Sequence, residues 1–219
     1  MTMHFMRTLP ATAVLAALLA PVPALAHPHV FAEARLEIET SADGRVTELR
    51  NVWRFDEVFS SSVILDFDQD SNFELDAGEL AKIGDMVTQS LAEFDYYTTV
   101  TSNGEDVEIS LPEAIKVDYQ DGQLLMFFAV IPKTELLLSG NIHVGVFDPT
   151  MYAALDFIND EDMMVTGASA SHCARSVVRP DPDEIIAQNQ DSLTEAFFDT
   201  TTNNDLSKLL ATRLELDCK

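Results

Sequence analysis

An alternation of apolar and other residues, which begins at Val30, constrains the fold of this chain more than any other feature. From Val30 to Glu39 an aliphatic residue occupies every second position, which is the period of a strand with one buried face. The turn sequence SADGR follows, and a second run of strand character spans Val46 to Phe55. The pattern predicts a β-hairpin at the start of the folded chain.

Two helices are predicted after this hairpin. Asp56 can cap a short helix that runs through Phe67. A loop of carboxylates follows, and a second helix is then indicated by apolar residues at spacings of three and four. These residues are Leu80, Ile83, Val87, Leu91 and Phe94.

Segments of strand character fill most of the remaining chain. In order they are YYTTVTS, VEISL, IKVDY, LLMFFAVIP, ELLLSGNIHVGVFD, MMVTGASASHCARSVVR and the terminal RLELDC. The segments DEIIAQNQDSL and DLSKLLATR predict short helices. The order of elements predicts an α+β fold class, in which an antiparallel β-sheet domain carries an inserted EF-hand-like helix pair at residues 57–94.

The first 26 residues have the layout of a secretory signal peptide. Arg7 precedes the apolar run ATAVLAALLAPVPALA, which ends in a small-x-small site at Ala24 to Ala26. The run is short and Pro-interrupted for a membrane span, although an uncleaved anchor is the alternative. We expect residues 1–26 to be removed, and residues 27–219 to form a single periplasmic domain that does not insert into the membrane.

The negative charge of the chain excludes some classes of binding partner. Without Arg7 the expected mature chain has 12 basic residues (13 minus one) and 37 acidic residues, a formal charge of −25. A strongly acidic protein repels nucleic acid and anionic lipid and attracts cations. Nucleic-acid binding is therefore excluded, although solubility alone also accounts for such a charge.

Cys173 and Cys218 are the two cysteines of the chain. In an oxidising compartment two thiols are expected to form one disulfide, which would tie the C-terminus to a strand 45 positions earlier. The alternative is a metal site that uses Cys173 and the adjacent His172, but such a site needs reduced thiols.

The stretch DQDSNFELDAGE resembles the calcium loop D-x-[DN]-x-[DN]-G-x5-E. The expected ligands, at loop positions 1, 3, 5, 7 (a backbone carbonyl), 9 and 12, are Asp68, Asp70, Asn72, Glu74, Asp76 and Glu79. Phe73 departs from the pattern because it stands where Gly makes the sharp turn, and a positive φ strains it by roughly 1–2 kcal/mol. The alternatives are a weak Ca²⁺ site and an acidic loop that binds nothing specifically.

Two histidines follow the expected cleavage site. Cleavage after Ala26 would make His27 the N-terminus, so that its amine and ring, with the ring of His29, offer nitrogen ligands suited to Zn²⁺, Ni²⁺ or Cu²⁺. Pro28 has no N–H, which excludes the square-planar chelate that needs a deprotonated amide at the second residue. Further ligands would come from His143, from His172 or from a carboxylate such as Asp148. The alternative is an exposed tail whose histidines are incidental.

Signatures of catalysis are missing from the sequence. It contains no Gly-rich phosphate loop, no G-x-S-x-G, no H-E-x-x-H and no evident pair of nucleophile and base. We therefore expect a protein that is not an enzyme.

Several motifs together resemble an uncharacterised bacterial family, a domain of unknown function often labelled the periplasmic component of an ABC-type transport system. They are HPHVF, VWRFDEVFSS, DQDSNFELDAGEL, LAEFDYYTTVTSNG and VFDPTMY. Members of this family often occur beside nickel/cobalt-type exporters or permeases. The resemblance therefore implies transition-metal handling, with such a transporter as the partner.

The function expected from the sequence is that of an exported metal-binding accessory protein. His27 and His29 would present a transition metal to a transporter or sequester it, and the acidic loop would hold a structural Ca²⁺. Two alternatives remain open. One is a calcium-stabilised interaction module whose histidines are incidental, and the other is a copper enzyme that uses His27.

Overall fold

The computed structural model describes residues 29–111, 113–188 and 203–219. The predicted signal peptide, His27 and the second half of the predicted helix DEIIAQNQDSL lie outside these residues. The short helix predicted from DLSKLLATR is present within them, as α4 (Asn203–Leu210).

The hairpin predicted from the alternating pattern is confirmed. β1 (Val30–Thr40) pairs antiparallel with β2 (Val46–Phe55), and Ala34 lies opposite Trp53. Every second residue of β1 is buried along its whole length. The alternation therefore reflects one face turned to the core, as expected for a half-buried strand.

The helix that Asp56 was predicted to cap is also confirmed. α1 (Glu57–Phe67) begins directly after Asp56, whose Oδ1 accepts the backbone N–H groups of Val58 and Phe59 at 2.9 Å each. A second helix, α2 (Ala77–Leu91), follows the acidic loop. Asp76 caps α2 in the same way. Each helix therefore begins after an aspartate that accepts backbone N–H groups left free at a helix N-terminus.

The rest of the described chain is built mainly from short strands. They are β3 (Thr98–Ser102), β4 (Glu105–Asp106), β5 (Ile109–Ser110), β6 (Lys116–Gln120), β7 (Gln123–Pro132), β8 (Gly140–Val146), β9 (Ala153–Asp156), β10 (Met163–Gly167), β11 (Cys173–Val178) and β12 (Arg213–Cys218). A further short helix, α3 (Pro182–Gln188), follows β11.

The strands form two sheets. The first has seven strands in the order β10-β1-β2-β7-β5, with β6 also on β7 and β9 also on β1. The second has five strands in the order β11-β12-β8-β3-β4. β1 pairs parallel with both β9 and β10 and antiparallel with β2. The first sheet is therefore mixed.

The predicted α+β class, an antiparallel sheet with an inserted EF-hand-like helix pair, is wrong. The protein is mostly β, and its two sheets include parallel pairs that the prediction did not contain. The two helices also do not form a separate inserted pair, since α1 packs on β7 and α2 packs on β6. Sequence periodicity indicated each helix but carried no information about the strand that it covers.

Two hydroxyl groups show how closely the helices join the first sheet. Ser60 of α1 is buried and accepts the N–H of Leu124 at 2.9 Å. Thr88 of α2 accepts the N–H of Ile115 at 2.9 Å. At Gly84 a side chain would meet the carbonyl oxygen of Ile115 at 2.4 Å. The helices therefore complete backbone hydrogen bonding at the ends of β6 and β7.

One segment predicted as a single strand divides between the two sheets. MMVTGASASHCARSVVR contains β10 of the first sheet and β11 of the second. Gly167 ends β10 with φ 95°, where a Cβ would lie 2.0 Å from the carbonyl oxygen of Thr40. Only Gly fits this approach, and the chain leaves the first sheet there.

A core of aliphatic and aromatic side chains holds these layers together. The largest fully buried side chains are Trp53, Phe157, Leu36, Ile38, Leu49, Leu124, Ile142, Met163, Leu214, Leu216, Val130 and Val144. All but Phe157 come from strands of the two sheets, and they belong to one buried cluster, so the sheets share one core. Among the described residues, no helix is long and apolar enough to cross a membrane.

Candidate metal sites

The loop between α1 and α2 folds around the carboxylate of Asp68. Its Oδ2 accepts the N–H of Phe73 at 2.7 Å, and its Oδ1 accepts the N–H of Asn72 at 3.2 Å. Phe73 has φ 62°, and Ser71 also has φ 62°. Phe73 therefore adopts the left-handed conformation that its place in the glycine position implied. The residue is 72% exposed, so its side chain contributes little packing that would offset this strain.

Three carboxylates of this loop converge. Asp68, Asp70 and Glu79 each offer one oxygen, and these oxygens lie within 4.8 Å of one another. Ca²⁺ binds oxygen at about 2.4 Å, so two oxygens on opposite sides of one ion stand about 4.8 Å apart. The spacing and the all-oxygen donor set fit Ca²⁺, whereas structural zinc sites use mainly sulfur and nitrogen.

Glu79 is the most deeply buried of the three. Its side chain is buried, with 5% of the residue exposed. Oε1 accepts the N–H of Gln69 at 2.7 Å, and Oε2 accepts the N–H of Asp76 at 2.9 Å. Each carboxylate oxygen has a further lone pair for a cation. The carboxylate is therefore held in place before any ion binds.

The other predicted loop ligands have local roles in this structure. Asp76 caps α2, because its Oδ1 accepts the N–H groups of Gly78 (2.7 Å) and Glu79 (2.9 Å). Asn72 accepts the N–H of Glu74 at 2.7 Å and donates to Asp70 at 3.0 Å. These contacts order the loop, and the ligand role of the Glu74 carbonyl remains a prediction.

Hydrogen bonding sets the protonation of Asp68. Partial desolvation, the largest contribution, acts to raise its pKa, but the N–H groups of Phe73, Asn72 and Ser71 and the side chain of Asp70 together lower it below the usual value of 3.8. The carboxylate form is the one that accepts these bonds. Asp68 is therefore ionised at neutral pH and available to a cation.

His29 lies at the first described position of the chain, beside the loop that precedes β9. Its backbone N–H donates to the carbonyl of Tyr152 at 2.8 Å, and its ring lies 5.1 Å from the Tyr152 ring. The side chain is exposed. His27, its expected partner, lies outside the described residues.

The other histidines considered as ligands lie in the second sheet. His143 stands in β8 between Thr101 and Glu215, and His172 directly precedes Cys173. Within the described part of the chain, no histidine belongs to a group of three His, Cys, Asp or Glu side chains that could hold a metal. Asp148, the carboxylate considered with them, is buried and accepts hydrogen bonds within its own loop.

Sequence reasoning missed a strained segment directly before β3. Asp95, Tyr96 and Tyr97 have consecutive left-handed φ values of 47°, 51° and 56°. The Tyr97 ring stacks on Trp53 at 5.8 Å. Burial, the negative charge of Asp148 and a hydrogen bond to it raise the pKa of Tyr97 far above its usual value. No local pattern indicates three such residues in a row, because Asp is enriched at positive φ but Tyr is not.

The same region of the core contains unsatisfied polar atoms. Among the described residues, Trp53 Nε1 and Asn51 Oδ1 are buried without a hydrogen-bond partner. Both residues are on β2 and two positions apart, so they point to the same face of the sheet. A donor and an acceptor are thus left unpaired in one part of the core.

The predicted disulfide between Cys173 and Cys218 is confirmed. The two residues lie directly opposite each other on β11 and β12, and their sulfur atoms are bonded. The alternative, a metal site with Cys173 as a ligand, is therefore wrong for this oxidised chain. A disulfide indicates an oxidising environment.

Comparison with known proteins identifies the family of the chain but indicates no activity for it. No curated protein matches the chain. The sequence model of a family described as "Protein of unknown function (DUF1007)" matches residues 12–218, which is nearly the whole chain. The chain therefore belongs to DUF1007, a family of proteins of unknown function.

Proposed function

We propose that the chain is an exported periplasmic protein, not an enzyme, that binds Ca²⁺ in the loop from Asp68 to Glu79. The convergence of the Asp68, Asp70 and Glu79 oxygens within 4.8 Å carries the proposal. The formal charge of −24 supports it, because an acidic surface raises the local concentration of cations.

Bound Ca²⁺ would act as a structural brace. Asp68 follows the end of α1, and Glu79 lies in the first turn of α2. An ion held by both would join the two helices, which otherwise pack on separate strands. The left-handed strain at Phe73 favours a weak site, with a Kd of roughly 10⁻⁴ to 10⁻³ M, the range of extracellular modules.

A pair of matched variants tests this proposal by calorimetric titration with Ca²⁺. Glu79→Gln removes a ligand charge but retains an oxygen for the capping box, so we expect its Ca²⁺ affinity to fall at least about tenfold. Glu74→Gln removes the same charge from the same loop and should bind like the wild type, because Glu74 would contribute only its backbone carbonyl. Equal affinity in all three proteins contradicts the proposal.

A second candidate function is transition-metal handling by His27 and His29. It is favoured by the position of His29, which is anchored by its backbone beside an aromatic ring at the start of β1. His27 as the mature N-terminus would supply an amine and a ring for Zn²⁺, Ni²⁺ or Cu²⁺. The partner would then be a nickel/cobalt-type or ABC-type transporter, as the family resemblance implies.

Adding one residue before His27 distinguishes this candidate function from the alternative, a calcium-stabilised interaction module whose histidines are incidental. The titration compares a chain that begins at His27 with the same chain preceded by Ala. A metal-handling protein should lose affinity when the amine moves away from the His27 ring. An interaction module should bind metal equally weakly in both forms.

A further inference from the structure

Strand β7 carries apolar side chains on both of its faces. One row is buried in the core and consists of Leu124, Met126, Phe128 and Val130. The other row alternates with it and consists of Leu125, Phe127, Ala129 and Ile131. The residues of this second row are partly exposed, and none of them is among the described residues that form the core or pack against it. A strand that is apolar on both faces is typical of a sheet that is covered on both sides.

The helices and the second sheet lie on the core side of β7. Val63 of α1, Ile83 of α2 and Val144 of β8 all belong to the core cluster, and the second row of β7 points the other way. On that side, Arg35 of β1 and Lys116 of β6 each have 76% of the side chain exposed. The outer face of the first sheet, which the outward residues of β1, β2, β7 and β6 form, is therefore open to solvent within the described part of the chain.

This outer face gathers basic residues in a chain that has few of them. Residues directly opposite each other in a sheet point to the same side, so the register places a basic side chain on the outer face of three strands. Four of the 13 lysines and arginines of the chain point outward there: Arg35, Arg50, Arg54 and Lys116.

The acidic side chains of the outer face lie beside these cations. Arg54 forms an ion pair with Glu33, and Arg50 forms ion pairs with three glutamates, Glu37, Glu39 and Glu48. With Asp118 of β6, the outward side chains of the four strands comprise five acidic and four basic ones, a net charge of −1, whereas the chain carries −24. Two copies of the chain can therefore approach through this face without the repulsion between like charges that a strongly acidic surface brings.

The rows of residues that cross the outer face are complementary to themselves. Arg54, Leu125 and Asp118 lie side by side on β2, β7 and β6, so that a cation, an apolar residue and an anion follow one another. A two-fold axis along β7 sets each β7 against its own copy and each β2 against β6 of the other copy. Arg54 of each copy then faces Asp118 of the other. A two-fold axis across the strands at Phe127 would instead bring Arg54 against Arg50 of the second copy.

We propose that the outer face is an interface between two copies of this chain, related by a two-fold axis along β7. The apolar row of β7 lies at its centre and the charged residues of β2 and β6 flank it, which is the usual arrangement of an apolar interface core and a polar rim. Because α1 and α2 pack on the core side, this pairing leaves the loop from Asp68 to Glu79 uncovered in both copies.

The size of the face favours a reversible dimer. Four strands about 4.8 Å apart and about seven residues with a rise of about 3.3 Å give a face of roughly 20 by 23 Å. A stable interface usually buries about 800 Å² of accessible surface on each partner, and this face lies at the low end of that scale. We therefore expect the dimer to dissociate on dilution.

Analytical ultracentrifugation of the chain that begins at His27, at concentrations from micromolar to millimolar, tests the proposal. Leu125→Lys sets two like charges against each other at the centre of the interface, so the dimer Kd should rise at least about tenfold. Leu65→Lys is the matched control, because it makes the same change at an exposed side chain of α1, on the core side of the sheet. Its dimer Kd should equal that of the wild type.

An exchange of charges tests the position of the axis. Arg54→Asp and Asp118→Arg each bring like charges together across the interface and should each raise the dimer Kd at least about tenfold. The double variant restores an opposite pair with reversed polarity and should return the Kd to within about threefold of the wild type. A merely structural role of these two residues would give no such rescue.

Three outcomes overturn the inference. The first is a wild-type chain that stays monomeric at the highest concentration, which would leave the outer face to a different partner. The second is a dimer whose Kd is unchanged in Leu125→Lys, since its contact then lies elsewhere. The third is a double charge variant that dimerises no more tightly than the single variants. The proposed Ca²⁺ site is tested separately by titration, so it stands or falls independently of all three.

Discussion

Replacing Phe73 by Gly should stabilise the protein even though it removes a large apolar side chain. A left-handed φ such as the 62° of Phe73 costs a residue with a side chain roughly 1–2 kcal/mol. Gly loses about 0.5–1 kcal/mol more chain entropy on folding. Because Phe73 is 72% exposed, little packing is lost. The net expectation is a gain of about 0.5–1 kcal/mol in the free energy of unfolding.

Urea unfolding without divalent cations measures this gain, and thermal unfolding should show a rise in Tm of about 1–4 °C. Phe31→Gly is the control, because Phe31 is also exposed but lies in β1, where Gly relieves no left-handed strain. It should destabilise the protein. A loss of stability for Phe73→Gly as large as that for Phe31→Gly refutes the reasoning.

Three further predictions concern the disulfide, the glycines and Tyr97. The Cys173–Cys218 bond joins residues 45 positions apart, and its reduction should lower the free energy of unfolding by about 4 kcal/mol. Urea unfolding with and without a reductant measures this difference. Gly104→Ala should lower the free energy of unfolding by about 1–2 kcal/mol, because Gly104 has φ 88° and an added Cβ would meet no other atom. Gly167→Ala should lower it further, because a Cβ there would lie 2.0 Å from a backbone oxygen. Equal losses for the two variants would contradict this reasoning. Burial and a neighbouring carboxylate raise the pKa of Tyr97, so its contribution to stability is full below the usual value of 10.0 and declines as pH rises past it. Unfolding measured from pH 8 to 11 should therefore show a steeper alkaline decline in the wild type than in Tyr97→Phe.

The sequence was informative wherever structure depends on neighbouring residues. The alternation from Val30 predicted a strand and its buried face because the side-chain period of two is a local property. Asp56 predicted a helix start for the same reason, since a cap bonds to N–H groups only two and three residues ahead. The acidic loop could be compared with a calcium-binding motif because the ligand positions of that motif span only twelve consecutive residues.

Features set by distant contacts were not predictable. The parallel pairing of β1 with β9 and β10 joins residues more than 120 positions apart, and no local pattern encodes it. The division of the segment from Met163 to Arg179 depends on the approach of Gly167 to β1. The left-handed turn ending at Tyr97 is imposed by contacts with Trp53 and Asp148. The fold class was wrong for these reasons, although most individual elements were right.

The residues of the candidate sites were likewise predictable only in part. The converging carboxylates Asp68, Asp70 and Glu79 had all been predicted from the loop motif. Asp148 had been considered only as a ligand, and the hydrogen bonds by which it orders its own loop became visible only in three dimensions.

The proposed Ca²⁺ site can be tested by a crystal structure of the protein grown with about 10 mM Ca²⁺, well above the expected Kd. We expect one ion in the loop, with oxygens of Asp68, Asp70 and Glu79 and the carbonyl of Glu74 at about 2.3–2.6 Å from it. A well-ordered loop without an ion, in which Glu79 bonds only the N–H groups of Gln69 and Asp76, would contradict it.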